Sequence, residues 1–191
     1  MAKENEAVNK LHLRALWITR TAVLAALLVA VQAALGVITG GFQLVVGSAV
    51  NLLLIISVMI GGFSSGLAVA VISPVAAKLF GIGPLWEIIP FLMIGNACLI
   101  TVWNFIGNLR IRHDIVAYIF AAVVAAGLKC FVLYLGVVKL AIPFFLELGE
   151  KQAEVISKMF SLTQLFTALI GGALALIVLP ILKKAIKRPG A

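Results

Sequence analysis

From Thr21 to Ala77 the chain contains no Asp, Glu, Lys or Arg, and a second uncharged run covers Ile88 to Leu109. Runs of ~18 or more apolar residues read as membrane-crossing helices, because a helix satisfies its own backbone in hydrocarbon. Composition agrees: 63% of the 191 residues are hydrophobic and 12% are charged, about half the charged share of an ordinary soluble domain. The expectation is an all-α integral membrane protein, a single membrane domain over residues 1–191. A net charge of +8 would point to nucleic acid in a soluble protein. Here the basic residues read as topology signals, and no nucleic-acid partner is expected.

Glycine, proline and charge divide the chain into six helices at about 16–37, 44–60, 66–80, 88–109, 115–138 and 159–182. Residues 1–13 read as a polar cytoplasmic tail. Lys10, Arg14 and Arg20 ahead of an apolar run resemble the start of a signal peptide, but the run is long and is taken as helix one. The Gly36–Gln43 stretch breaks the first helix from the second, and Gly61–Gly66 reads as a tight turn. Pro74 is a candidate kink in helix three, and residues 139–158 form the longest connection. With six crossings and the N-terminus inside, the inner segments hold Lys3, Lys10, Arg14, Arg20, Arg110, Arg112, Lys183, Lys184, Lys187 and Arg188. The outer segments hold Lys78, Lys139, Lys151 and Lys158, offset by glutamates. The positive-inside rule thus places both termini in the cytoplasm of a multi-pass cell-membrane protein.

One stretch departs from plain membrane filler. Between Lys78 and Asn96 lie Gly81, Gly83, Pro84, Trp86, Glu87 and Pro90. Gly and Pro interrupt helices, and Trp suits a membrane–water boundary. The segment reads as a structured loop at the mouth of the bundle.

Polar residues inside the helices are few, so their depth is informative. At 1.5 Å per residue, Asn96 falls ~12 Å and Lys129 ~14 Å below the outer ends of their helices. Asn51, Gln164, Thr167 and Gln32 fall in the same outer layer, with Tyr134 and Gln43 above it, nearer the loops. Trp86 and Glu87 complete the candidate binding set at the mouth. Amides in a membrane helix also serve as interhelical glue, and that reading stays open for each neutral residue. Lys129 is harder to explain so: an intramembrane ammonium costs ~2.5–3.5 kcal/mol on insertion scales and usually lines a cavity or meets a partner. No acid shares its depth, so an anionic group on a ligand would be its natural partner.

Several chemistries lack their residues. His12 and His113 lie at the inner edge, away from the polar layer, and no zinc-protease or phosphate-loop motif occurs. Cys98 and Cys130 sit in apolar runs and read as small hydrophobes. No metal, cofactor or catalytic residue is expected, and no motor. Helix one carries Ala22, Ala26, Ala30 and Ala34 at four-residue spacing, a smooth face for another helix. Helix five repeats the pattern with Ala117, Ala121 and Ala125, so on spacing alone internal packing is the stronger explanation, and the absence of a motor is what favours an external partner.

Arg20-Thr-Ala22-Val-Leu-Ala-Ala26, Gly47-Ser-Ala-Val-Asn51 and the run from Gly83 through Pro90 to Asn96 together resemble the S-components of energy-coupling factor (ECF) transporters, bacterial vitamin importers of the ABC type. The resemblance covers essentially the whole chain. It implies a subunit that captures a water-soluble vitamin or related micronutrient at the outer face. Ala22, Ala26 and Ala30 would then dock on a T-subunit powered by two cytoplasmic ATPases. Asn96, Lys129 and Gln164 would lie on the helices lining the pocket, and no substrate-specific signature is present. Two other classes stay open: a small membrane-embedded enzyme using Lys129, and a structural membrane subunit with no ligand.

Overall fold

The computed structural model describes residues 2–109 and 114–186. Arg110, Arg112, His113, Lys187 and Arg188, five of the residues used above for orientation and site placement, lie outside them. The described residues are mostly helical, joined by short turns and loops, with no strand among them. Its elements are α1 (Ala2–Ile38), α2 (Gln43–Gly61), α3 (Phe63–Leu79), α4 (Ile89–Ile106), α5 (Asp114–Leu133), α6 (Ile142–Phe145), α7 (Glu150–Met159) and α8 (Leu162–Ile186). A 3-10 turn, Trp86–Ile88, leads into α4, and a π-helical segment, Tyr134–Ala141, joins α5 to α6.

Five helical segments are long and apolar enough to cross a membrane: Asn9–Ile38, Gln43–Gly61, Trp86–Ile106, Ile115–Phe145 and Glu150–Ile186. The shorter α3, at 17 residues, spans ~25 Å. The long helices close a ring in the order α1, α2, α8, α5, α4, α3, with α2 also packed on α3 and α4. Leu54, Ile55, Val69, Leu99, Ile100, Trp103, Ala121 and Ala125 fill its centre. A smaller cluster of Ile88, Leu133, Val137 and Phe160 sits towards the end that carries the longer connections. At the opposite end the Lys183 ammonium donates to the Tyr118 hydroxyl at 2.8 Å, tying α8 to α5, and Trp103 leans on the same tyrosine ring.

Several boundaries differ from the sequence expectation. The polar residues expected as a tail are helical from Ala2 onward, so α1 is 37 residues long, ~55 Å against a hydrocarbon core of ~30 Å. The tight turn expected over Gly61–Gly66 shrinks to Gly62, whose φ of +85° reverses the chain alone. Helix three runs unbroken through Pro74, and helix four stops at Ile106 instead of 109. Helix five passes position 138 by way of the π segment, which lets the chain continue to Phe145. Within the expected 139–158 connection, residues 150–159 form α7, steadied by an exposed Glu154–Lys158 pair at 2.7 Å. That pair has the four-residue spacing that supports an isolated helix.

Candidate functional site

Glycine brings α2 and α8 close enough to share polar contacts. A Cβ on Gly171 would stand 2.7 Å from the Asn51 Cβ and 2.9 Å from the Ser48 carbonyl oxygen, and one on Gly47 would stand 2.8 Å from a Thr167 methyl. Neither helix has room for a side chain at these crossings. The approach sets the Asn51 amide against the Thr167 hydroxyl, to which it donates at 3.3 Å. Thr167 in turn donates to the Gln164 carbonyl at 3.1 Å.

Lys129 enters this contact from α5. Its ammonium donates to the Asn51 Oδ1 at 2.6 Å and to the Asn96 Oδ1, on α4, at 2.7 Å. An ammonium has three donor hydrogens and no lone pair, so both amides must turn their oxygens towards it. Their nitrogens then face elsewhere: Asn51 towards Thr167, Asn96 with no protein acceptor among the described residues. The third hydrogen of Lys129 is likewise left without a protein acceptor. The side chain is nonetheless 3% exposed, and Asn51 and Asn96 are 1% and 4% exposed. Four helices thus meet in one buried network built around one cation.

The network forms part of the wall of a cavity of about 320 Å³. Its floor is Lys129, Asn51 and Asn96. Its sides include Gln32 from α1, Ser73 and Pro74 from α3, and Gln164 from α8, and its rim includes Gly41, Gln43 and Ile82–Pro84. The rim over α3 is built by a glycine-terminated cap. Gly81 adopts φ +75°, its N–H donates to the Lys78 carbonyl at 3.0 Å and that of Ile82 to the Ala77 carbonyl at 2.8 Å. The chain is thereby turned across the cavity at Gly83 and Pro84. Gln164 spends its amide N–H on the Met159 carbonyl at 3.0 Å, which leaves its oxygen as an acceptor at the wall. Lys129 is the one charged side chain among the described lining residues.

Six of the ten candidate binding residues line the cavity: Gln32, Gln43, Asn51, Asn96, Lys129 and Gln164. Thr167 stands one bond behind, holding Asn51. Trp86, Glu87 and Tyr134 are not brought in. Trp86 and Glu87 are exposed on the turn that opens α4 and do not line the cavity. Tyr134 lies beside Lys139, whose ammonium sits 5.5 Å from its ring centre. Lys78 and Lys139, which shared the outer half with Lys129 in the sequence, are not in the wall either. Ser73, Val46, Leu92, Met159 and Phe160 are lining residues that the sequence did not mark.

Other chemistry is sparse. Among the described residues no group of three His, Cys, Asp or Glu side chains can hold a metal ion. Cys98 and Cys130 are free thiols, and Lys129 bonds no hydroxyl that it would activate. The two alanine stripes part company: Ala117, Ala121 and Ala125 on α5 are wholly buried, whereas Ala22, Ala26, Ala30 and Ala34 on α1 are all exposed along one face.

Compared with protein-family models, with curated proteins and with solved structures, the chain matches none.

Proposed function

We propose that this chain is the substrate-capture subunit of an ECF-type importer in the cell membrane, binding a small water-soluble vitamin-like molecule at its outer face. In this reading six helices cross the bilayer, with α3 as the sixth. Both termini face the cytoplasm, on the side to which the basic residues of the two tails, Arg110 and Arg112 are assigned by the positive-inside rule. The cavity then opens outward. One observation carries the reading: a buried ammonium with an unspent hydrogen lies in the wall of a 320 Å³ cavity, within the range of small-molecule pockets. An intramembrane charge held at such expense normally serves a ligand or ion path. The exposed alanine face of α1 adds the second half, a close-approach surface for the helices of a T-subunit driven by two cytoplasmic ATPases. The chain itself carries no nucleotide-binding motif.

The direct test is purification in mild detergent without added ligand, followed by mass spectrometry of the small molecules released on denaturation. A stoichiometric water-soluble compound is expected, and it should be reduced at least tenfold in Lys129→Met. A chain that binds nothing from a complete growth medium would defeat the reading.

A second reading has one observation behind it. The Lys129–Asn51–Thr167 chain and the Lys129–Asn96 bond tie α2, α4, α5 and α8 together, as expected of a structural membrane subunit whose polar groups are glue. Under that reading Lys129→Met changes stability alone and no compound co-purifies.

A further inference from the structure

The donor and acceptor inventory of the cavity narrows what it can hold. We infer that its ligand is a small monocarboxylate whose charged end meets the Lys129 ammonium and the Asn96 amide nitrogen. This inference rests on the capture reading.

The charge follows from the wall. Lys129 is its single charged residue among those described, and no carboxylate faces it. Two of its hydrogens go to neutral amide oxygens, which solvate the ammonium without neutralising it. A buried ion is well compensated only by an opposite charge with good hydrogen-bond geometry. A cationic ligand would meet uncompensated repulsion. A dianion such as a phosphate monoester would carry a second negative charge with no counterpart in the wall. One negative charge closes the account.

The shape of the charged end follows from what Lys129 imposes on its neighbour. Because Asn96 must present its oxygen to the ammonium, its amide nitrogen lies at the other side of the same planar group, with its hydrogens unspent among the described residues. The unspent N–H of Lys129 and the N–H2 of Asn96 are therefore adjacent donors, suited to the two oxygens of a carboxylate. Charge-assisted bonds of this type are stronger than neutral ones. Asn51 is the poorer second donor, since one of its two amide hydrogens already goes to Thr167, whereas both of those on Asn96 are unspent among the described residues.

The far end of the ligand faces different chemistry. The Gln164 oxygen is left as an acceptor by the bond of its nitrogen to Met159, and Gln32 and Gln43 present amides at the wall and rim. These suit hydroxyl or amide groups. Between the two ends the wall is mostly aliphatic, with Phe160 the one aromatic ring among the described lining residues, so no pair of these rings clasps a flat fused system. The volume of about 320 Å³ lies at the lower end of the range for small-molecule sites, which favours a small ligand.

The experiment incubates immobilised full-length protein with a water-soluble metabolite extract, washes it, and identifies what denaturation releases. The retained compound is then assayed as the free acid and as its primary amide, on the unaltered chain and on Lys129→Gln and Lys129→Met. Lys129→Gln keeps an amide donor for the two asparagine oxygens, so it guards against misfolding of the methionine variant, and melting curves check both. The expected result is a monocarboxylate that loses about 10- to 100-fold in affinity when amidated or when Lys129 is neutralised, as for one charge-assisted bond. Its amide should bind unaltered chain and Lys129→Gln alike. A retained compound that is neutral, cationic or doubly charged, or an acid no tighter than its amide on the unaltered chain, overturns the inference and leaves the capture reading standing. Retention of nothing by the unaltered chain overturns both.

Discussion

Lys129 can be held in an apolar bundle because its neighbours arrive as acceptors from two other helices. Each hydrogen bond to a charged group contributes ~1.5–3 kcal/mol. Asn96→Leu removes one bond to the ammonium and should lower unfolding stability in detergent by about 2 kcal/mol. Asn51→Leu removes a bond to the ammonium and the donor to Thr167, so its loss should be the larger. Combining Asn51→Leu with Lys129→Met should cost less than the two single changes summed, by ~1–2 kcal/mol, because each has already broken the shared contact. Strict additivity in chemical unfolding curves would mean that the 2.6 Å pair contributes nothing. The members of this network were legible in the sequence, since a lysine and two asparagines within apolar runs are conspicuous and their depths agree. Depth, however, gives height and not direction. Trp86, Glu87 and Tyr134 stand at the height of the mouth, yet Trp86 and Glu87 are exposed on the turn into α4, and Tyr134 lies beside Lys139 instead. Met159 and Phe160 escaped for the opposite reason, because apolar lining residues look the same as lipid-facing ones.

Helix crossings decide whether that network can assemble at all. The α2–α8 seam has no free space at Gly171, where a Cβ would fall 2.7 Å from Asn51 and 2.9 Å from a backbone oxygen of Ser48. Backbone cannot rotate aside, so Gly171→Ala must part the helices and loosen the Asn51–Thr167 contact. Overpacking of this kind costs ~1–3 kcal/mol, and ligand retention should fall along with the melting temperature. Gly127, on an exposed stretch of α5, has nothing within 4 Å of its would-be Cβ. Gly127→Ala should leave both measurements unchanged or raise stability slightly, since alanine favours helix by ~1 kcal/mol over glycine. Equal effects from the two substitutions would contradict the seam as described. Most helices were legible at this scale because uncharged runs and glycine breaks mark a membrane helix strongly. α7 was not, since a charged ten-residue segment has no long apolar run, although Glu154 and Lys158 stand at helical spacing. The glycines at Gly61 and Gly66 misled at the α2–α3 junction: they looked like turn residues, while Gly62 alone makes the turn.

The ring as a whole leaves α1 at its margin, packed on α2 and α3 and contributing Gln32 alone among the polar lining residues. A Thr21–Ser65 hydroxyl bond of 2.9 Å pins it to α3, on the side away from its alanines. In the sequence α1 and α5 carry the same four-residue alanine spacing, and spacing cannot tell which stripe is spent inside the fold. Packing separates them: α5 is gripped by α4 and α8, so its alanines are consumed, while those of α1 stay open. Alanines gain nothing from facing lipid that leucine would not gain better, but they let a second helix approach closely. Ala22→Leu with Ala26→Leu should therefore leave folding and ligand retention intact and abolish uptake in cells that supply the T-subunit and ATPases. Ala121→Leu, the same change on the buried stripe, should instead destabilise the isolated protein by ~1–3 kcal/mol and impair retention with it. The contrast separates coupling from capture in one set of measurements. Uptake that survives the paired α1 change would remove α1 as the docking helix, whatever the cavity binds.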